Sequence, residues 1–201
     1  MKNTCFCRCC KTQKHSFLTL DNMLQQYLTT FAGNMKNCIT EYRKIEKQEF
    51  WQSVTKAICP CCKQKFLHQK RIPIVVLEQW SNFILQSKEK ISDCCDFKEL
   101  YNCIKNIKAD NKIKGIGELT IYDTAFRLGI YLNKLPDAFV YLHANAIIPG
   151  YTKSFIPTKK LVDNFENHNM PAYMIEDFLC VFHKNIIEQS RNILIIKEKD
   201  N

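Results

Sequence analysis

The sequence predicts an all-α fold. Apolar residues recur at three- and four-residue spacing over six stretches, which is the period of a helix face. Aspartates or prolines suited to helix starts stand ahead of several of them. Strand signals are few, with no Asn-Gly hairpin pair and no regular alternation.

Asp21 is the expected N-cap of a helix over 22–32, with Leu24, Tyr27, Leu28 and Phe31 on one face. Residues 35–57 read as one long or two broken helices, with Ile45, Phe50 and Val54 inward; Pro60 and the cysteines around it close that stretch. Pro73 suits the first helical position of a segment over 73–87, whose buried stripe is Leu77, Trp80 or Ser81, and Ile84. Asp96 caps a helix over 97–108 that turns Phe97, Leu100, Tyr101, Ile104 and Ile107 inward. A further helix runs from Glu118 to Leu132, with Leu119, Tyr122, Ala125, Phe126 and Gly129 on its inner face. Val140–Leu142 suits an extended segment. The last helix, over 171–188, opens with Pro171 and buries Ile175, Phe178, Leu179, Phe182 and Ile186. The end, 190–201, is either a docked segment or a frayed tail. The expected organisation is a Cys-rich helical region over 1–72, a helical region over 73–190 and a tail over 191–201, forming one compact unit.

Composition bounds the function. With 46% hydrophobic residues the chain can bury a core, which excludes intrinsic disorder. Five glycines and six prolines exclude collagen-like and low-complexity architectures. No apolar run reaches the roughly 18 residues of a membrane span, so no membrane partner is expected. No apolar stretch of a secretory leader follows Met1-Lys2-Asn3-Thr4-Cys5, so a cytoplasmic location is expected. In that compartment the twelve cysteines would be thiols, metal ligands or buried fillers, not disulfides. Net charge is +9 and lies in the earlier part of the chain. Residues 56–71 carry Lys56, Lys63, Lys65, Lys70 and Arg71 without an acid. Residues 105–114 carry Lys105, Lys108, Lys112 and Lys114 against Asp110 alone. Such patches suit a polyanion, and equally a plain solvated face.

The most specific segment is Ile113-Lys114-Gly115-Ile116-Gly117-Glu118-Leu119-Thr120, between two strongly amphipathic stretches. Glycines one residue apart permit backbone conformations that a Cβ forbids. The following helix starts with its free N–H groups at the turn, where they and the helix dipole favour a phosphate. Ile113 and Ile116 would anchor the turn, which read conservatively is only a tight interhelical connection.

On Ile113, Gly115, Ile116, Gly117, Thr120 and Ala125 the stretch 97–133 resembles the helix-hairpin-helix motif. The resemblance implies DNA binding through hairpin amides on the phosphate backbone, which positions a protein without reading bases. Helix-hairpin-helix DNA glycosylases follow the hairpin with Val-Asp-x-His, and bifunctional members place a lysine two residues after the second glycine. This chain has Val140-Tyr141-Leu142-His143, with Tyr141 at the aspartate position, and Leu119 at the lysine position. Both departures argue against standard glycosylase chemistry; Asp137 lies four residues before the aspartate position. Residues Gly115–His143 are also similar to uncharacterised bacterial proteins sharing a Gly-Ile-Gly-x-Leu-Thr-x-Tyr-Asp and Val-Tyr-Leu-His-Ala pattern, which implies no activity.

Asp123 and Arg127 are four apart on one helix and suit an ion pair. With Tyr122, His143, Glu176 and Asp177 they would form an acid–base or metal cluster if the fold brings them together; otherwise His143 is a buried or capping histidine. His68-Gln69-Lys70-Arg71 is a phosphate-contacting loop or a polar connection. Cys7-x-x-Cys10 and Cys59-x-x-Cys62 have the spacing of tetrahedral zinc pairs. Arg8, Lys11 and Lys63 would favour their thiolates. The alternatives are unpaired thiols or another ligand set drawn from Cys5, Cys9, Cys61, His15 and His68. Cys94-Cys95 is too closely spaced for a tetrahedral pair, and Cys38, Cys103 and Cys180 read as core fillers.

The expectation is therefore a DNA-binding helical protein with a Cys-rich zinc clip. Gly115, Ile116, Gly117 and Thr120 form the hairpin, and Lys112, Lys114, Lys65, Lys70 and Arg71 supply charge. The alternatives are a divergent glycosylase-like or other nucleic-acid-processing enzyme using His143 with Asp123 or Asp137, and a helical interaction module without DNA binding.

Overall fold

A computed structural model describes residues 19–46, 49–51, 54, 56–59, 65–66, 69–143, 146–190 and 193–197. The fold is predominantly helical. The described residues divide into two compact units, one holding Lys36–Leu135 and the other holding residues 19–35 with those from Pro136 onward.

The N-terminal helix α1 spans Leu20–Gln26. Its cap is Thr19 and not Asp21: the Thr19 hydroxyl oxygen accepts the Asn22 N–H at 3.2 Å. Both residues are competent caps. The chain does not stop near residue 32, because one π-helical turn, Tyr27–Phe31, leads straight into α2, Ala32–Arg43.

In the first unit, Phe50, Trp51 and Val54 are helical and buried. Phe50 stacks on Tyr131 at 4.2 Å between ring centroids. Helix α3, Ile74–Gln86, starts at Pro73, which lacks an N–H that the first turn would leave unused. Leu77, Trp80, Ser81 and Ile84 form its buried stripe, as the spacing predicts. The short α4, Lys88–Ser92, precedes α5, Phe97–Asp110. Asp96 caps α5 by accepting the Glu99 N–H, while the Glu99 carboxylate accepts the Cys95 N–H, both at 2.8 Å. This reciprocal arrangement is close to a capping box. Helix α6, Glu118–Leu132, has its predicted bounds and is buried around most of its circumference. Between α3 and α6 the Trp80 indole N–H donates to the Thr124 hydroxyl at 3.1 Å. That hydroxyl donates onward to the Thr120 carbonyl at 2.7 Å. Both polar groups are thereby satisfied in a dry interior.

The second unit contains a departure from the all-α expectation. Strands β1, Phe139–Tyr141, and β2, Phe155–Pro157, pair antiparallel with Val140 opposite Ile156. Both of these residues are fully buried. A 3₁₀ turn, Thr158–Lys160, and α7, Asp163–Asn167, lead to α8, Ala172–Glu188, which opens after Pro171 as predicted. Tyr27 and Phe165 both meet Phe178 edge-on at 5.8 and 5.6 Å, and Phe31 meets Phe182 at 6.0 Å. Residues 193–197 lie docked: Ile193 and Ile195 are buried, and Ile196 bridges to Leu161.

Helix α6 ends where Asn133 takes a left-handed conformation and the Lys134 N–H returns to the Gly129 carbonyl at 2.7 Å. A Cβ at Gly129 would collide with the Lys134 carbonyl oxygen and press on the Phe97 ring. Gly129→Ala should therefore lower stability by about 1–3 kcal/mol despite the better helix propensity of alanine. Thermal unfolding of the variant checks this, and an unchanged or raised Tm would refute it.

Candidate functional site

The α5–α6 turn is built from local rules. Helix α5 closes with two backbone bonds, Lys112 N–H to the Ala109 carbonyl at 3.2 Å and Ile113 N–H to the Lys108 carbonyl at 3.5 Å. This is the Schellman arrangement, in which the residue after the cap takes a left-handed conformation and is usually glycine. Here it is Lys112, at φ +49°. Ile113 then turns inward and is buried, as the motif's apolar contact requires. Gly115 is left-handed as well, at φ +86°, and Ile116 is the second buried anchor.

Lys114 and Gly115 are exposed between these two anchors, and Lys112 and Gly117 are exposed on either side of them. Gly117 is the N-cap of α6 and supplies no side-chain acceptor to its first-turn N–H groups. The first helical bond is Ile121 N–H to the Gly117 carbonyl at 3.1 Å, so the amides of Glu118, Leu119 and Thr120 precede the helical ladder. Thr120 is buried. Glu118 is the acidic group at this helix start, and its carboxylate accepts from Tyr101 at 2.8 Å and pairs with Lys105 at 3.5 Å. Both partners belong to α5. Asp110 is exposed at the end of that helix.

The expected basic loop separates into two roles. The Lys65 ammonium donates to the Ile72 carbonyl at 2.6 Å and fixes the approach to α3. Lys70 and Arg71 are exposed. Directly before them in sequence, Gln69 is buried and donates its amide to Asp123 at 2.6 Å. Asp123 pairs with Arg127 at 3.3 Å, and the guanidinium reaches the Gln69 carbonyl oxygen and the Val54 carbonyl at 3.4 Å each. The Arg127 guanidinium also lies 4.3 Å from the Phe66 ring centroid. Sequence spacing identifies the Asp123–Arg127 pair, but the role of Gln69 is non-local and carries no sequence signal.

The other polar residues lie in the second unit. His143 Nε2 is 3.0 Å from Glu176 Oε1, and both side chains are nearly closed to solvent. The Tyr27 hydroxyl donates to Asp177 at 2.8 Å. Burial, then the neighbouring Glu176 charge, push the Asp177 carboxyl up to about 7. Burial, then the Asp177 charge, raise Tyr27 well above its ordinary value. Asp137 is exposed and accepts the adjacent Ala138 N–H at 2.6 Å. The structure thus joins His143 to Glu176, and Asp123 to Arg127, within separate units.

Of the expected zinc ligands, Cys59 is buried, and Cys7, Cys10 and Cys62 lie outside the described residues. Among the described residues no group of three or more His, Cys, Asp and Glu side chains is placed to hold a metal ion. Among them, too, no helix is long and apolar enough to cross a membrane. Comparison of the chain with protein-family models, curated proteins and solved structures finds no match.

The raised Asp177 carboxyl couples stability to pH. The folded chain holds this proton more tightly than the unfolded chain. Its contribution is therefore full below about 3.8, the ordinary aspartate value, and falls as pH rises through about 7. Urea midpoints should be lower at pH 8 than at pH 5, and Asp177→Asn should narrow the difference. A difference that Asp177→Asn leaves unchanged would refute this assignment.

Proposed function

We propose that the chain binds duplex DNA without reading its sequence, gripping the phosphate backbone with the α5–α6 hairpin. The observation that carries this reading is the turn Lys112–Gly117, in which Lys112, Lys114, Gly115 and Gly117 are exposed around the buried anchors Ile113 and Ile116 at the start of a fifteen-residue helix. Its geometry supplies the two things a phosphate needs: backbone N–H donors without a helical partner and nearby positive charge. Such contacts fix register and orientation but leave base identity unread.

Lys112 adds a second support. A left-handed non-glycine residue costs about 1–2 kcal/mol, and glycine in its place would recover part of that. The exposed Lys112 supplies an ammonium group at the mouth of the hairpin. Lys70 and Arg71 extend the same chemistry. The resemblance to the helix-hairpin-helix motif agrees with this reading, and Tyr141 and Leu119 continue to weigh against standard glycosylase chemistry. A zinc clip on Cys7, Cys10, Cys59 and Cys62 is a separate proposal, supported by cysteine spacing alone.

Two variants test the grip. Gly117 has extended backbone dihedrals and open space around a built Cβ, so Gly117→Val should fold normally while covering the amides. It should weaken duplex binding several-fold. Lys112→Gly should raise stability by about 0.5–1 kcal/mol, weaken binding and reduce the slope of log affinity against log salt by about 1. Anisotropy titrations of a fluorescent duplex at several salt concentrations, beside thermal melts, measure all of these. Binding indifferent to both changes would leave the hairpin as a structural turn.

A further inference from the structure

Two cysteines meet at the corner between α4 and α5. Cys94 lies just after α4, and Cys103 sits in the second turn of α5. Their thiols share a hydrogen bond, and the Cys94 sulfur is also 3.5 Å from the Lys90 carbonyl oxygen. The two residues are 8% and 7% exposed, so neither is closed off completely. The corner itself is held in place. Asp96 and Glu99 cap the start of α5 reciprocally, and the Lys134 ammonium donates to the Ser92 carbonyl at 2.9 Å. Two sulfurs thus face each other across a short, pinned segment of chain.

Their surroundings set how they react. Burial pushes the Cys94 thiol up to about 11; the neighbouring Cys103 adds to the rise and Lys134 opposes it. Burial raises Cys103 as well, against its hydrogen bond with Cys94 and the charge of Lys90. The thiolate is the nucleophile, so the first attack on an oxidant is slow at neutral pH. The second step is fast, because the partner sulfur is already in contact. Cys95 is exposed and directly follows Cys94. Consecutive Cα atoms are about 3.8 Å apart, which is shorter than a relaxed disulfide spans. Cys103 is therefore the partner of Cys94.

We propose that Cys94 and Cys103 form an oxidisable dithiol, which a hydroperoxide closes into an intramolecular disulfide. With hydrogen peroxide, one thiol gives up its proton and its sulfur takes one peroxide oxygen. The O–O bond breaks, a sulfenic acid forms, and the departing hydroxide takes that proton and leaves as water. The second thiol then attacks the oxidised sulfur. The S–S bond forms, the S–O bond breaks, and the hydroxyl leaves as water with the second thiol's proton. Each sulfur is oxidised by one electron, and the peroxide is reduced to water. A thiol reductant reverses the closure by exchange. The disulfide would tie the end of α4 to α5 and restrict the unfolded chain. The proposal stands independently of the DNA reading.

Peptide mapping tests it. Trypsin cuts after Lys90, Lys98 and Lys105, so Cys94 and Cys103 fall on separate peptides, 91–98 and 99–105. The reduced full chain is treated with hydrogen peroxide, denatured, blocked with iodoacetamide, digested and read by mass spectrometry. Cys95→Ser and Cys95→Ser/Cys103→Ala run beside it, with far-UV circular dichroism checking their folds. The two peptides should be joined in the full chain and in Cys95→Ser, and separated by dithiothreitol. Closure should run about tenfold faster at pH 8 than at pH 7, as the thiolate fraction does. Oxidation should raise the Tm of Cys95→Ser by about 5 °C, a gain that the double variant lacks. Peptides that stay separate with Cys94 and Cys103 both blocked by iodoacetamide would overturn the proposal. So would a link that Cys95→Ser abolishes, pairing of Cys103 with a different cysteine, or a link found only between two copies of the chain.

Discussion

The first unit turns on one buried polar knot. Arg127 is 4% exposed, and its charge is met by Asp123, the Gln69 amide oxygen, the Val54 carbonyl and the face of Phe66. A guanidinium can be taken out of water only when such partners replace its hydration. Two stretches of chain must therefore converge on α6, the one that carries Val54 and the one that carries Phe66 and Gln69. Removing one partner of a buried pair costs about 3–5 kcal/mol, because the other is left uncompensated. That constraint fixes Gln69, and with it the exposed Lys70 and Arg71 that follow directly in sequence. The stability of the interior and the placement of surface charge thus share one cause.

A division of labour follows along α6. Its middle carries Asp123 and Arg127, which hold the basic loop, and Thr124, which meets Trp80 of α3. Its N-terminus carries the exposed hairpin, whose two isoleucines are buried while its glycines and lysines are not. Rigid elements supporting an exposed turn are what a phosphate contact requires, since donors held in place lose little entropy on binding. The second unit has its own polar pairs, His143–Glu176 and Tyr27–Asp177, set beside an aromatic cluster. There burial sets the protonation of Asp177.

Features governed by neighbouring residues were legible in the sequence. The bounds of α6, the Asp96 cap and the starts after Pro73 and Pro171 each depend on a few adjacent positions. The first helix shows the limit: Thr19 and Asp21 are equally good caps, and packing of Leu20 selects the earlier start. The π-helical turn at Tyr27–Phe31 hid the continuity into α2, because an extra residue per turn breaks the apolar period. The strand pair was half visible. Val140 lies in an apolar run, but Phe155–Pro157 has no strand signature, and the two strands are separated by the thirteen residues 142–154. Within the candidate site the hairpin and its isoleucine anchors were readable. Gln69 as a buried partner was not, since nothing local distinguishes it from an exposed glutamine.

Contact between the hairpin amides and phosphate is read directly by amide-resolved NMR titration with a short duplex. The largest amide shifts should fall between Lys114 and Thr120, diminish as salt rises and be the same for duplexes of unrelated sequence. Shifts that leave this stretch untouched while affinity persists would contradict it and place the DNA-binding surface elsewhere on the chain.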